Sequence, residues 1–275
     1  MDINEYLDGL KSFEVSNRKV LCKYCGSKTR TRGRICVCSN CELINTFMQK
    51  NALDSELVQW LEQYNEFIED ENYPFAINIY NQIIGIYKTQ EYFYVHGINY
   101  IKYSNFMVDR IRYDRDGFME ENAAYKKASN EIYYNARLFF YKSMNIVDAQ
   151  MKSGSSDMIE LLYSRLLVQI KIGDMRGASD SLERMALSEN KYLYDYSNIL
   201  FNDACNNPKI VLNYIDIMID NNDDYPITIF YYLAKSLYKN KDYKNADIII
   251  KSLSKLIYGK SILQLSKNVD NMLRP

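Results

Sequence analysis

Histidine is almost missing from this chain: the 275 residues contain one, His96. That scarcity removes the paired-histidine HExxH metal site and the commonest general base at neutral pH. No glycine-rich phosphate loop and no G-x-S-x-G nucleophile elbow occurs either, so the usual sequence signatures of an enzyme are absent. Prolines number four, at 74, 208, 226 and 275, which leaves long stretches free of helix breakers. No run approaches the eighteen or so uncharged apolar residues of a membrane span, and Met1-Asp2-Ile3-Asn4-Glu5 lacks the basic-then-apolar layout of a signal peptide. The chain is therefore expected to stay in the cytoplasm. With 47% hydrophobic and 25% charged residues it has the composition of a globular chain with enough apolar material for a sizeable core.

What the chain does have is unevenly placed. Five of its six cysteines lie between positions 22 and 41, and residues 1 to 50 hold nine of the 34 basic residues against five of the 35 acidic ones. A basic head thus precedes a mildly acidic body. Tyrosine is abundant at 26 residues, beside much Ile, Asn, Lys and Asp, and is read as compositional bias.

In a reducing compartment a cysteine cluster signals metal ligation rather than a disulfide framework. Cys22-Lys23-Tyr24-Cys25 and Cys38-Ser39-Asn40-Cys41 form two CxxC knuckles separated by twelve residues. Each knuckle turns tightly enough to aim two thiolates at one ion, and two knuckles complete the closed four-sulfur shell of structural Zn2+. Gly26 suits a backbone that must turn with φ > 0 after the first knuckle. Four protein ligands leave no position for water, so such a zinc is structural. Cys36 is read as a small residue beside the site rather than a ligand, and Cys205 as a core residue of a helix.

Between the knuckles lie Lys28, Arg30, Arg32 and Arg34, preceded by Arg18, Lys19 and Lys23, with no acid among them. Two readings stand: these cations relieve the negative charge of a zinc tetrathiolate, or they contact the phosphates of a nucleic acid. The loop has no aromatic residue beyond Tyr24 for base stacking.

After position 52 the apolar residues recur at helical spacing. Trp60-x2-Gln63-Tyr64-x2-Phe67, then Tyr73, then Ala76-x3-Tyr80 make one frame. Leu162-x3-Leu166, Gly173-Asp174 and Ala178-x3-Leu182 make a second, and Phe230-x2-Leu233-Ala234-x2-Leu237, Asp242-Tyr243 and Ala246-x3-Ile250 a third. The frames resemble tetratricopeptide repeats, and the intervals between their alanines are multiples of the 34-residue period of that family. The resemblance implies a mainly α architecture. It comprises a small zinc-ribbon module over 1–50 and a helical repeat domain over 51–275, with an irregular helical insertion near 105–152. Ile3, Tyr6, Leu7, Leu10 and Phe13 predict a short helix capped by Asp2 that packs on the ribbon or the first repeat. Leu43, Ile44, Phe47 and Met48 predict a helix leading out of the ribbon.

The function expected from these parts is a non-enzymatic interaction scaffold whose repeats hold a protein or peptide. The alternative is a nucleic-acid- or transcription-associated factor using Lys28, Arg30, Arg32 and Arg34 on phosphate. Self-association through an open end of the array is compatible with either. His96 is expected to be structural. Glu69-Asp70-Glu71 and Asp220 to Asp224 are read as solvated turns, and Asp114-Arg115-Asp116-Gly117 lacks the later ligands of a calcium loop.

Overall fold

The computed structural model describes residues 2–16, 19–30, 35–46, 55–113, 119–154, 158–221, 225–257 and 260–273. Among them are twelve helices: α1 (Ile3–Ser16), α2 (Ser55–Glu69), α3 (Tyr73–Ile86), α4 (Gln90–Tyr113), α5 (Met119–Lys152), α6 (Met158–Ile172), α7 (Met175–Met185), α8 (Lys191–Ala204), α9 (Pro208–Asn221), α10 (Ile229–Lys239), α11 (Tyr243–Ser254) and α12 (Lys260–Leu273). Four three-residue strands precede α2: β1 (Lys19–Leu21), β2 (Lys28–Arg30), β3 (Ile35–Val37) and β4 (Ile44–Thr46). They make two antiparallel ribbons, β1 with β2 and β3 with β4. The expected helix after the ribbon is not formed at Ile44, which pairs instead with Val37 in β4. β-branched Ile44 and Thr46 suit a strand, and the ladder to β3 takes up their backbone groups. Phe47 and Met48, and the calcium-like Asp114–Gly117, lie outside the described residues.

Contacts divide the chain into two compact units, one of residues 1–22, 27–48 and 174–275, the other of residues 23–26 and 49–173. In the first unit each helix from α7 to α12 packs on the next. Helix α1 opens with a reciprocal cap, Asn4 N–H donating to Asp2 Oδ1 at 3.3 Å and Asp2 N–H to Glu5 Oε2 at 2.8 Å. Its stripe, expected to pack on the ribbon or the first repeat, packs on the C-terminal helices of the same unit. Phe13 meets Tyr225 and Phe230 with ring centroids 5.9 and 6.3 Å apart, and Tyr6 donates to Asp216 of α9 at 2.5 Å. Cys205 is not a core residue; it caps the C-terminus of α8, half-buried.

One turn joins several helix pairs in the same way. At the end of α2 Asn72 N–H bonds the Phe67 carbonyl at 2.8 Å, at the end of α8 Asn207 bonds Asn202 at 2.8 Å, and at the end of α10 Asp242 bonds Leu237 at 2.9 Å. The residue before each donor has positive φ: Glu71 58°, Asn206 60° and Lys241 65°. This is the Schellman closure of a helix, in which a left-handed residue lets an amide reach back to an orphan carbonyl. The donor residue then starts the next helix, its carbonyl accepting from Ala76, Val211 or Ala246 at 3.1, 3.2 and 3.1 Å. Gly173, φ 81°, precedes Asp174 and Ala178 in the same positions, with Asp174 Oδ1 accepting from Gly177 N–H at 3.0 Å. Asp174, Asn207 and Asp242 follow one another at 33 and 35 residues. The α8–α9 pair is thus a further occurrence of the pattern, one that no frame in the sequence marked.

In the second unit α2 to α6 pack in sequence, and α4 and α5 form a long antiparallel pair. Ser143 Oγ donates to the Gln90 carbonyl at 2.8 Å, the Tyr94 and Phe140 ring centroids are 5.7 Å apart, and Ser104 lies against Ser129, so partners run in opposite order along the two helices. Small residues make this approach possible. The two serines donate to each other's carbonyls at 3.1 and 3.2 Å, and a Cβ at Gly97 would come within 2.6 Å of the Phe140 ring. The stretch near 105–152, expected as a helical insertion outside the repeat frames, is helix over its described length.

Ala76, Ala178 and Ala246 are fully buried. Ala246 lies on α11, which packs on α10, and a larger side chain there has no space. Ala246→Leu is expected to cost about 1 to 3 kcal/mol through overpacking, read as a shift of the urea midpoint at unchanged slope. A variant as stable as wild type would show that the contact is not tight.

Candidate metal centre

The Sγ atoms of Cys22, Cys25, Cys38 and Cys41 all lie within 4.8 Å of one another, and all four residues are buried. Cys22 Sγ and Cys41 Sγ are 3.7 Å apart. Sulfurs held about 2.3 Å from one tetrahedral ion stand about 3.8 Å from each other, whereas a disulfide needs about 2.05 Å. None of the four is in a disulfide. The four cysteines expected from spacing are thus brought to one point, and they are able to hold a metal ion with every ligand supplied by the chain. Cys36 lies in β3 opposite Asn45, and its side chain is outside the described residues.

The two knuckles share one backbone solution. In the first, Cys22 N–H donates to the Ser27 carbonyl at 2.9 Å; in the second, Cys38 N–H donates to the Leu43 carbonyl at 3.0 Å. The residue after the last cysteine is left-handed in both, Gly26 at φ 67° and Glu42 at φ 61°. Around the second knuckle the Asn40 amide points at Cys38 Sγ at 3.4 Å and Ser27 Oγ lies 3.2 Å from the same sulfur.

Three helices of the second unit grip the first knuckle by its carbonyls. Tyr92 OH of α4 donates to the Lys23 carbonyl at 3.0 Å, Tyr80 OH of α3 to Tyr24 at 2.6 Å, and Asn65 Nδ2 of α2 to Cys25 at 3.2 Å. The Tyr24 ring packs edge-on against Tyr92 with centroids 5.4 Å apart. Gly26 is required here by space as well as by its φ, because a Cβ would meet Asn65 Nδ2 at 2.4 Å and Leu61 Cβ at 2.9 Å. In the first unit the Glu42 carboxylate accepts from Tyr232 OH of α10. Burial, with Glu42 beside it, pushes the Tyr232 phenol well above its ordinary pKa, which keeps it a donor.

Sequence reasoning missed every one of these anchors. Tyr80, read only as a packing residue of a repeat frame, and Tyr92 and Tyr232, covered only by the reading of tyrosine abundance as compositional bias, are buried rings with a hydroxyl aimed at the metal-binding segment. Tyr64 OH donating to Asn99 Oδ1 at 2.5 Å and Tyr196 OH beside Thr228 Oγ1 at 2.8 Å belong to the same pattern. The spacing of Tyr73, Tyr80 and Tyr92 within helical frames was the available signal, since a buried tyrosine requires a partner for its hydroxyl.

Of the basic residues, Lys28 is exposed on β2, while the Arg30 side chain and all of Arg32 and Arg34 lie outside the described residues. His96 is buried among Tyr80, Tyr100 and Phe139, with ring centroids 5.3, 5.0 and 4.3 Å away. Its Nε2 hydrogen-bonds Asn81 Oδ1 at 3.0 Å. Burial, and then the positive charge of Lys142, lowers its pKa to about 3, so the ring is held neutral.

No protein-family model matches the chain, and neither the curated proteins nor the solved structures compared with it yield a match.

Two outcomes follow. Tyr80→Phe keeps the ring and strands a buried carbonyl, an expected loss of about 1 to 3 kcal/mol with faster metal release to a chelator than from wild type; equal stability and release would remove Tyr80 from the support of the knuckle. His96 makes stability depend on acid. Its folded pKa is near 3 and its unfolded value about 6.5, so the unfolded chain binds the extra proton between those values. Stability is therefore complete above about pH 6.5 and falls as pH drops toward 3. His96→Gln is expected to flatten the stability profile over that window, measured by urea unfolding at several pH values, and an unchanged slope would contradict it.

Proposed function

We propose that the chain is a non-enzymatic scaffold in which structural zinc sets the ribbon and TPR-like helix pairs hold a protein or peptide partner. The observation that carries the reading is the closed four-sulfur cluster whose first knuckle is bound into the helical core by three consecutive carbonyls. A metal with four chain ligands leaves no site for substrate or water, and such a centre contributes folding energy instead of chemistry. Zinc is favoured over other ions because four thiolates in tetrahedral reach match its preference and need no redox partner. The turn recurring after α2, α8 and α10, with Asp174 in the same pattern, supports repeated helix pairs. Repeats of this kind expose side chains of successive pairs on a common surface, which suits binding of an extended segment. A thiolate centre calls for a reducing compartment, in keeping with a cytoplasmic location.

The natively purified, reduced chain is expected to carry one zinc, and Cys25→Ser to lose it together with the order of the ribbon. Elemental analysis finding none, or iron in its place, would overturn the zinc assignment. Partner class is decided by affinity purification from the native cell with and without nuclease, run in parallel on a variant with Lys28, Arg30, Arg32 and Arg34 replaced by Gln. Retention of a protein by both chains is the expected result. Retention of nucleic acid at physiological salt that the glutamine variant loses would establish phosphate contact and overturn the protein-scaffold reading.

A further inference from the structure

Helix α5 is buried on one side only. Ser129, Ala136, Phe140, Ser143 and Val147 face inward, whereas the opposite face leaves Tyr134 63%, Leu138 42% and Tyr141 44% exposed. Three large apolar side chains at i, i+4 and i+7 make a stripe of the kind that receives another helix. Beside its N-terminal end an open depression of about 690 Å3 is lined by Lys126, Lys127, Asn130 and Tyr134. Elsewhere the tyrosines described above spend their hydroxyls inside the molecule. On this face, among the described residues, the Tyr141 hydroxyl accepts from Arg137 Nη2 at 3.2 Å, an exposed neighbour on the same helix, so the rings are not spent on the core.

The order of residues along the stripe reads in a complementary sense from either end. About a point between Arg137 and Leu138, Tyr134 is matched by Tyr141, Asn130 by Asn145 and Lys127 by Asp148. Two copies of α5 laid antiparallel would bring ring to ring, amide to amide and, at both ends, cation to anion. A twofold contact of this type is self-complementary by construction. Parallel alignment would place Lys127 on Lys127 and Asp148 on Asp148, which charge repulsion disfavours. Asp148 also pairs with Arg165 at 3.1 Å and keeps 38% of its side chain accessible, so it is able to serve both.

We propose that this face of α5 is the interface of a weak antiparallel homodimer, with Tyr134, Leu138 and Tyr141 as its apolar centre and Lys127 and Asp148 as its terminal charge pairs. The contact of two helix faces lies at the small end of specific interfaces, so the dimer dissociates on dilution. The proposal stands apart from the zinc and scaffold readings, because none of its residues contributes to the metal centre.

The test is sedimentation equilibrium of the zinc-loaded full chain over a concentration series reaching about 100 µM. Wild type is expected to show a reversible monomer–dimer equilibrium. Leu138→Asp should remove it, and the exposed position leaves helical content and melting unchanged as the control for folding. Lys127→Glu should weaken association at least severalfold at low salt and less at high salt. A wild type that stays monomeric throughout the series overturns the proposal. So does a dimer that neither Leu138→Asp nor the double variant Tyr134→Ser, Tyr141→Ser weakens, since its interface lies elsewhere. Oligo(dT) added to the same cells is the third arm. A monomeric chain that binds it through Tyr134 and Arg137 would assign the stripe to base stacking and phosphate contact, and would equally overturn the dimer.

Discussion

A tight thiolate turn spends amides on closing itself and on its sulfurs, and it presents carbonyls that other elements must meet if they are to be buried. The first knuckle meets this constraint by giving the carbonyls of Lys23, Tyr24 and Cys25 to Tyr92, Tyr80 and Asn65. The choice of tyrosine has a physical basis. Its ring fills the space between helices as phenylalanine would, while its hydroxyl prevents the loss of about 1 to 3 kcal/mol for each dry carbonyl. The segment that carries Cys25 is therefore part of the packing of α2, α3 and α4. At the second knuckle the tie is of another kind, Tyr232 donating to the side-chain carboxylate of Glu42 rather than to a backbone carbonyl.

How far these features can be read in the amino-acid order depends on whether a residue advertises its backbone. Gly26 and Gly173 announce a left-handed position; Glu42, Glu71, Asn206 and Lys241 occupy the same conformation without a glycine to mark it. The helix pair α8–α9 escaped detection for a related reason. Its turn is the one found after α2 and α10, but Val211 stands where the other pairs place alanine, so a search guided by small residues passes over it. Periodicity disclosed that α1 has an apolar stripe and could not disclose that Phe13 would meet Tyr225 and Phe230, because a stripe specifies what is buried and not what buries it.

At the centre itself the four cysteines were legible from spacing alone, since no other common arrangement needs two CxxC turns so far apart. Their supports were not. A side chain that bonds a backbone carbonyl has a partner common to every residue, so no pattern of letters links Tyr80 with Tyr24 across the 56 positions between them. His96 shows the converse: a lone histidine in an aromatic stretch suggests a packed ring, while the neighbours that hold it neutral, Phe139 and Lys142, come from another helix and become evident only in three dimensions.

The paired serines of α4 and α5 give the long helices a mechanical property. With 24 and 34 residues, these rods reach about 36 and 51 Å at 1.5 Å per residue. Two smooth apolar faces of that length would slip past one another by a turn at little cost. Ser104 and Ser129, each donating to the other's carbonyl, act as a detent, since a slide of one turn would take two buried hydroxyls away from the carbonyls that accept from them. The two serines therefore favour one register of α4 against α5, and with it one fixed offset between the ends of the two rods.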